Sequence, residues 1–200
     1  MDGETTALAP ELELTETWLT WANLITIVRA VSCVGVFACA AVYGSFTLNL
    51  IGLGLYWVLD VADGFAARVL DQETRIGAQL DIYSDRLLIG FFYVNYVQMT
   101  PEAIVPAALM LLEFMVIDQY LSTQFLRWPI KSPNYFHRIS QPVWRLNWSP
   151  VAKALNTAMV TLILLLTGNV IAATIACAAL IIVKLYSLVL MHRLRAPAGL

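Results

Sequence analysis

Four aspartates, Asp60, Asp63, Asp81 and Asp85, lie in stretches that are otherwise largely apolar. Asp60 and Asp63 are spaced i,i+3 and Asp81 and Asp85 i,i+4, so on helices each pair shares one face. Four carboxylates facing each other in a low dielectric repel strongly. Hard divalent cations remove that repulsion, because Mg²⁺ and Mn²⁺ prefer carboxylate oxygens, and two such ions balance four acids. Gly64 and Ala67 carry little side-chain bulk beside the acids, which lets a ligand or a facing helix approach. Arg68, one turn on, is a natural phosphate partner. The pattern is that of a divalent-cation site with a phosphate contact at its edge.

The elements that position these residues are membrane spans. The chain has 200 residues, 60% apolar and only 13% charged, with a mean hydropathy of +0.72. Soluble domains carry about 25% charged residues, so this chain has too few to cover a soluble surface. Its net charge of -2 and pI of about 5.6 argue against a nucleic-acid binder. Cys33, Cys39 and Cys177 fall in apolar runs without a CxxC pair and read as inert core thiols. A helical span needs about 20 mainly apolar residues. Six candidates follow: 21–43, 46–69, 76–97, 103–126, 155–167 with flanks, and 170–191. The fold class expected is therefore an all-α integral membrane protein, one catalytic domain over 1–200. Only 127–154, with Pro129, Pro133, Pro142 and Pro150, is a substantial loop.

The first 17 residues hold five acids and no Lys or Arg, the opposite of a secretory signal's basic start. Pro10 followed by Leu14, Trp18 and Trp21 suggests a short interfacial helix within the acidic leader 1–20. Outside the spans, Lys and Arg fall in the 2–3 connection (Arg75), in the 4–5 loop (Arg127, Lys131, Arg138, Arg145, Lys153) and at the C-terminus (Arg193, Arg195). The positive-inside rule then puts both termini, and the active site, on the cytoplasmic side of the inner membrane. At about 1.5 Å per residue, Arg29 and the four acids lie about 8–14 Å below that face. They therefore share one layer. Among the other intramembrane charges, Arg86 and Glu113 have matching depths and are expected to pair, and Lys184 is expected to snorkel to the interface. The bland alternative, in which the four acids only neutralise Arg29, Arg86 and Lys184, sets four acids against three bases at unmatched depths.

The stretch from Asp60 to Asp85 reads DxxDGxxAR-x8-GxxxDxxxD, eight residues at fixed spacing over 26 positions. This resembles the signature of the CDP-alcohol phosphatidyltransferase family. Asn23, Thr26 and Arg29 are similar to its first-span PNxxTxxR element, with Ala22 in place of the proline. The resemblance implies a six-helix bundle that moves a phosphatidyl group from CDP-diacylglycerol to an alcohol and releases CMP. It implies that Asp60, Asp63, Asp81 and Asp85 hold two Mg²⁺ or Mn²⁺ ions, with Asp85 also the general base. It also implies that Gly64, Ala67, Arg68 and Gly77 line the nucleotide pocket. Membrane lipids would be its surroundings and a homodimer a common assembly.

For the acceptor alcohol, the basic 4–5 loop suits a phosphate-bearing group, with Arg127, Lys153 and Arg138 as candidate contacts. Ser149, Lys153 and Asn156-Thr157 are similar to the fifth-span region of glycerophosphate and cardiolipin-type members, although Val160 stands where a Gln is usual. No KARAE-like run follows the fourth span, as in inositol-phosphate members. Glycerol 3-phosphate or phosphatidylglycerol is the expected acceptor, with inositol phosphate or another polar alcohol as the alternative. A cation-coupled membrane transporter is the alternative of a different class. It would not need the DGxxAR and Gly77 elements.

Overall fold

The computed structural model describes residues 17–194. Among these there is no strand, and six long helical segments make one bundle. Helix α1 (Trp21–Tyr43) and α2 (Phe46–Val69) form an antiparallel pair. Helix α3 is Arg75–Met99 and α4 is Pro101–Arg127. A 3-10 turn at Pro133–Arg138 and the short α5 (Gln141–Asn147) lead into α6 (150–167), and α7 is Val170–His192. The expected interfacial helix falls largely in residues 1–16, outside the described residues, and 17–20 are not helical.

Local chemistry explains the helix ends. Gly44 takes a left-handed φ of 58° that ends α1, and the next residue, Ser45, caps α2 by accepting the Leu48 N–H. The same device recurs at Gly168 (φ 61°) and Asn169, whose side chain accepts the Ala172 N–H. Thr74 caps α3 through the Gly77 N–H, and Ser149 caps α6 with Pro150 at its first position. Gly44–Ser45, Thr74 and Gly168–Asn169 fall at breaks between expected spans, whereas Ser149 lies inside the expected loop 127–154, so the fifth span begins at Pro150.

Five stretches are long and apolar enough to cross a membrane: α1, α2, α4, Gln141–Thr167 and α7. Large apolar side chains such as Val31, Val61, Ile104, Leu166 and Ile175 point outward along them. The protein is an integral membrane helical bundle. Helix α3, the sixth expected span, is 25 residues long but is not among the five. It carries Arg75, Asp81, Asp85 and Arg86, and it buries Leu88, Phe92, Tyr93 and Tyr96 against its neighbours. A helix covered by others has less need of an apolar outer face.

The half of the bundle away from the acids is an apolar core of Cys33, Phe37, Leu53, Phe92, Met110, Phe114, Leu164 and Cys177. Polar contacts cross it, among them Tyr93 Oη with Thr161 Oγ1 at 2.9 Å between α3 and α6. Asn95 Nδ2 donates to the Phe37 carbonyl at 2.9 Å, and Asn49 Nδ2 donates to the Phe92 carbonyl at 3.2 Å, joining α1, α2 and α3. Close approach of α1 and α2 depends on Gly52, where a Cβ would stand 2.6 Å from the Phe37 ring. Gly52→Ala should therefore cost about 1–3 kcal/mol, the usual overpacking range. Gly54→Ala, where a Cβ meets nothing within 4 Å, should cost nothing. Thermal unfolding of the two variants in detergent checks the contrast.

Candidate active site

The four aspartates converge. They sit in the second half of α2 and the first half of α3, and their carboxylates gather around one guanidinium, that of Arg29 from α1. Its Nη1 donates to Asp60 Oδ1 at 2.5 Å and lies 3.0 Å from Asp63 Oδ2. Its Nη2 donates to Asp81 Oδ1 at 2.7 Å and to Asp85 Oδ1 at 3.2 Å. Thr26, one turn before Arg29, donates to Asp63 Oδ2 at 3.1 Å. Arg29 is wholly buried, whereas the Asp60 and Asp81 side chains are 39% and 42% exposed. The acids thus present themselves to open space on the side away from the arginine. Oxygens of Asp60, Asp63 and Asp81 lie within 4.8 Å of one another. That is a compact all-carboxylate donor set, the chemistry Mg²⁺ and Mn²⁺ favour.

The open space is a cavity of about 250 Å³. All four aspartates line it, and so do Gly64, Ala67, Arg68 and Gly77. Gly77 has a steric reason. At Gly77 a Cβ would come within 2.6 Å of Asn23 Oδ1 and 2.9 Å of Thr74 Oγ1. At Gly64 it would fall 3.4 Å from the Arg68 guanidinium, which folds back over that position. Lys153, Asn156 and Thr157 of α6 and Ser132 to Asn134 of the 4–5 loop also line it. The buried Ser132 Oγ, Asn147 Oδ1 and Asn156 Oδ1 have no protein partner. A wall of unsatisfied polar atoms suits a polar ligand rather than a dry cavity.

Of the three basic residues expected at the acceptor, only Lys153 faces this cavity. Arg127 lies over the Trp128 ring and donates to Gln124. Arg138 lies over the Tyr135 ring and lines a separate cavity of about 170 Å³ with Asp71, Glu73 and Lys131. The Tyr135 phenol donates to the Glu73 carboxylate, tying the 4–5 loop to the 2–3 connection. That bond pushes the phenol up to about 12, so it stays a neutral donor at ordinary pH. Ser132, Asn134 and Asn147 were not singled out in the sequence. Pro133, which itself lines the cavity, and Pro129 were the available signal.

Two pairings differ from expectation. Arg86 does not pair with Glu113. Its Nη2 donates to Asp118 and lies 3.2 Å from Ser122 Oγ. Lys184 does not snorkel. It is buried, 2.5 Å from Asp118 Oδ1 and 4.0 Å from Glu113 Oε1. The cause is a π-helical turn at Glu113–Asp118, which widens the helix and brings these two acids toward one side. A second π turn, Leu155–Met159, carries Asn156 and Thr157 to the cavity wall.

A family model described as CDP-alcohol phosphatidyltransferase matches residues 19–186. A CDP-diacylglycerol--inositol 3-phosphatidyltransferase of Candida albicans is 39% identical over 82 residues, 39% of this chain and 35% of that protein. The chain thus matches about a third of that relative's length. No solved structure matches the chain significantly.

Asp118 is the hinge of the buried network behind Arg86. Asp118→Asn leaves two cations facing a neutral group away from water, and should cost about 3–5 kcal/mol. Lys184→Met should cost less, since Arg86 and Ser122 still hold Asp118. Unfolding of both variants in detergent tests the order.

Proposed function

The chain belongs to the CDP-alcohol phosphatidyltransferase family, and on that premise we propose that it transfers the phosphatidyl group of CDP-diacylglycerol to a polar alcohol, releasing CMP. The observation that carries this reading is the meeting of four aspartates from α2 and α3 at one cavity. Asp60, Asp63, Asp81 and Asp85 would hold two divalent ions, Mg²⁺ or Mn²⁺. When bound, such ions neutralise the diphosphate and the charge that develops on the leaving phosphate.

The protein's own residues then divide the work. Arg68, folded against Gly64, reaches phosphate oxygens of the CDP group, and Gly64, Ala67 and Gly77 leave room for the nucleotide. Asp85 orients the acceptor hydroxyl and takes its proton as the new oxygen–phosphorus bond forms. The bond from that phosphorus to the bridging oxygen breaks, and its electron pair leaves with CMP. Asp85 lines the cavity with a side chain 17% exposed, its Oδ1 3.2 Å from Arg29 Nη2 and its Oδ2 3.9 Å from Arg86 Nη1.

The acceptor is a polyol. The orphaned amide and hydroxyl oxygens of Asn147, Asn156 and Ser132 suit hydroxyl donors, and Lys153 suits a phosphate. The name of the Candida relative puts an inositol-type acceptor ahead of the glycerol 3-phosphate or phosphatidylglycerol favoured by the Lys153 region. The mouth is framed by the 2–3 connection and the 4–5 loop, the two connections that carry Lys and Arg, so it opens to the cytoplasm.

Release of CMP by purified protein decides the reading, with CDP-diacylglycerol, Mg²⁺ or Mn²⁺ and one acceptor at a time. Inositol, inositol phosphate, glycerol 3-phosphate, phosphatidylglycerol and serine make the panel. Turnover should appear with one polyol, vanish in chelator, and fall about a thousandfold in Asp85→Asn. Turnover that survives both treatments would sink the assignment of the aspartates.

A further inference from the structure

Arg29 is the most deeply committed charge in the molecule. Its side chain is 0% exposed, packed 5.8 Å over the Tyr56 ring, and both Nη atoms are used by carboxylates from two other helices. Each of the four aspartates gives it a single oxygen: Asp60 Oδ1, Asp63 Oδ2, Asp81 Oδ1 and Asp85 Oδ1. The second oxygen of Asp85, Oδ2, lies 3.9 Å from Arg86 Nη1, and of the four acids lining the cavity the Asp60 and Asp81 side chains are the most exposed. Nothing in this arrangement requires the arginine to leave when a cation arrives on the cavity side.

We propose that Arg29 is a resident counter-cation: it holds the four aspartates in a converging fan before any metal binds, stays in place when metal does bind, and deliberately weakens the site's grip on divalent ions. This rests on the reading of the aspartates as metal ligands. The formal charges show the consequence. Four carboxylates and one guanidinium make -4 + 1 = -3. Two divalent ions bring that to +1, whereas without Arg29 they would bring it to 0. The loaded site therefore carries an excess positive charge toward the cavity, where an anionic diphosphate would complete the neutralisation. A fixed positive charge this close to incoming cations must also lower their affinity, since Arg29 is wholly buried and a low dielectric screens it weakly. Arg29 is a positioning residue. It acts on substrate only through the aspartates.

The test is Mn²⁺ binding to the full-length protein in detergent without substrate, read from the electron paramagnetic resonance signal of free Mn²⁺. Arg29→Met should bind Mn²⁺ at least about tenfold more tightly than the native protein, because the repelling charge is gone. Its unfolding temperature should drop in EDTA and recover in Mn²⁺. Arg29→Lys, which keeps the charge but cannot span four carboxylates, should stay within about threefold of native affinity. A folded Arg29→Met with unchanged or weaker Mn²⁺ affinity would overturn the proposal, because a scaffold residue alone predicts that result. Should Arg29→Met fail to fold even in Mn²⁺, Arg29→Lys decides: affinity held within threefold supports control by charge, and a larger loss overturns it. Native protein that binds no Mn²⁺ would instead refute the metal reading on which the proposal rests.

Discussion

Four carboxylates held within reach of one another inside a membrane bundle is the constraint that the rest of this structure answers. Their mutual repulsion grows as the dielectric falls, so a helix pair carrying them would splay unless something positive sat between them. Arg29 supplies that charge from a third helix, and in doing so it fixes the rotation and depth of α1 against α2 and α3 together. Asn23 and Thr26 on the same side of α1 refine the contact. Thr26 donates to Asp63, and Asn23 rests against Gly77 so closely that only a residue without a Cβ fits there. The first-span residues are thus the back wall of the aspartate cluster.

A second polar layer stands behind the first. Arg86 follows Asp85 directly, and its guanidinium is held by Asp118 and Ser122 of α4, while Asp118 is shared with Lys184 of α7. Arg86 Nη1 lies 3.9 Å from Asp85 Oδ2, so the network also meets the aspartate cluster at its edge. Through these contacts α4 and α7 are registered to the same layer as α1, α2 and α3. The opposite half of the bundle is built of apolar side chains and has few ways to define depth, since such contacts are non-directional. Charges define the level, and apolar packing fills the space around it.

What could be read from the sequence follows that division. The ends of α1 and α2 are marked by Gly44 and Ser45, residues whose conformational and capping preferences are local, so the turn was legible at single-residue precision. The aspartate cluster was legible because i,i+3 and i,i+4 spacings fix a face and because depth follows from rise per residue. The partner of Arg86 was not. It depends on how α4 is rotated, and a π-helical turn at Glu113–Asp118 changes that rotation without any residue that announces it. The positions of Arg127 and Arg138 escaped for a related reason. Arg127 ends α4 in a 3-10 turn and Arg138 lies in the proline-bearing segment after it, neither with a regular α-helical period, and their guanidiniums fall on Trp128 and Tyr135 while Lys153, on α6, faces the cavity. Arg29 was visible as a charge at the right depth, but its simultaneous hold on all four acids is a property of three helices at once.

Helix α2 shows why such a site belongs at a membrane boundary. Asp60, Asp63, Gly64 and Ala67 line the cavity, while Val58, Val61, Phe65 and Val69 are exposed on the outer side of the same helix. The two sets interleave within three turns, so less than one helix diameter, about 10–12 Å, separates the ionic cluster from the apolar exterior. A substrate with a diphosphate at one end and acyl chains at the other, as proposed above, would span that distance with its head among the carboxylates and its chains still in lipid. Withdrawing the chains into a closed protein pocket would need a large apolar cavity, and the cavity here is small and edged by polar side chains. For such a substrate the bilayer would do that part of the binding. The protein needs only a thin, sharply two-faced helix, which is what the alternation of acids and small residues with β-branched and aromatic ones in 58–69 produces.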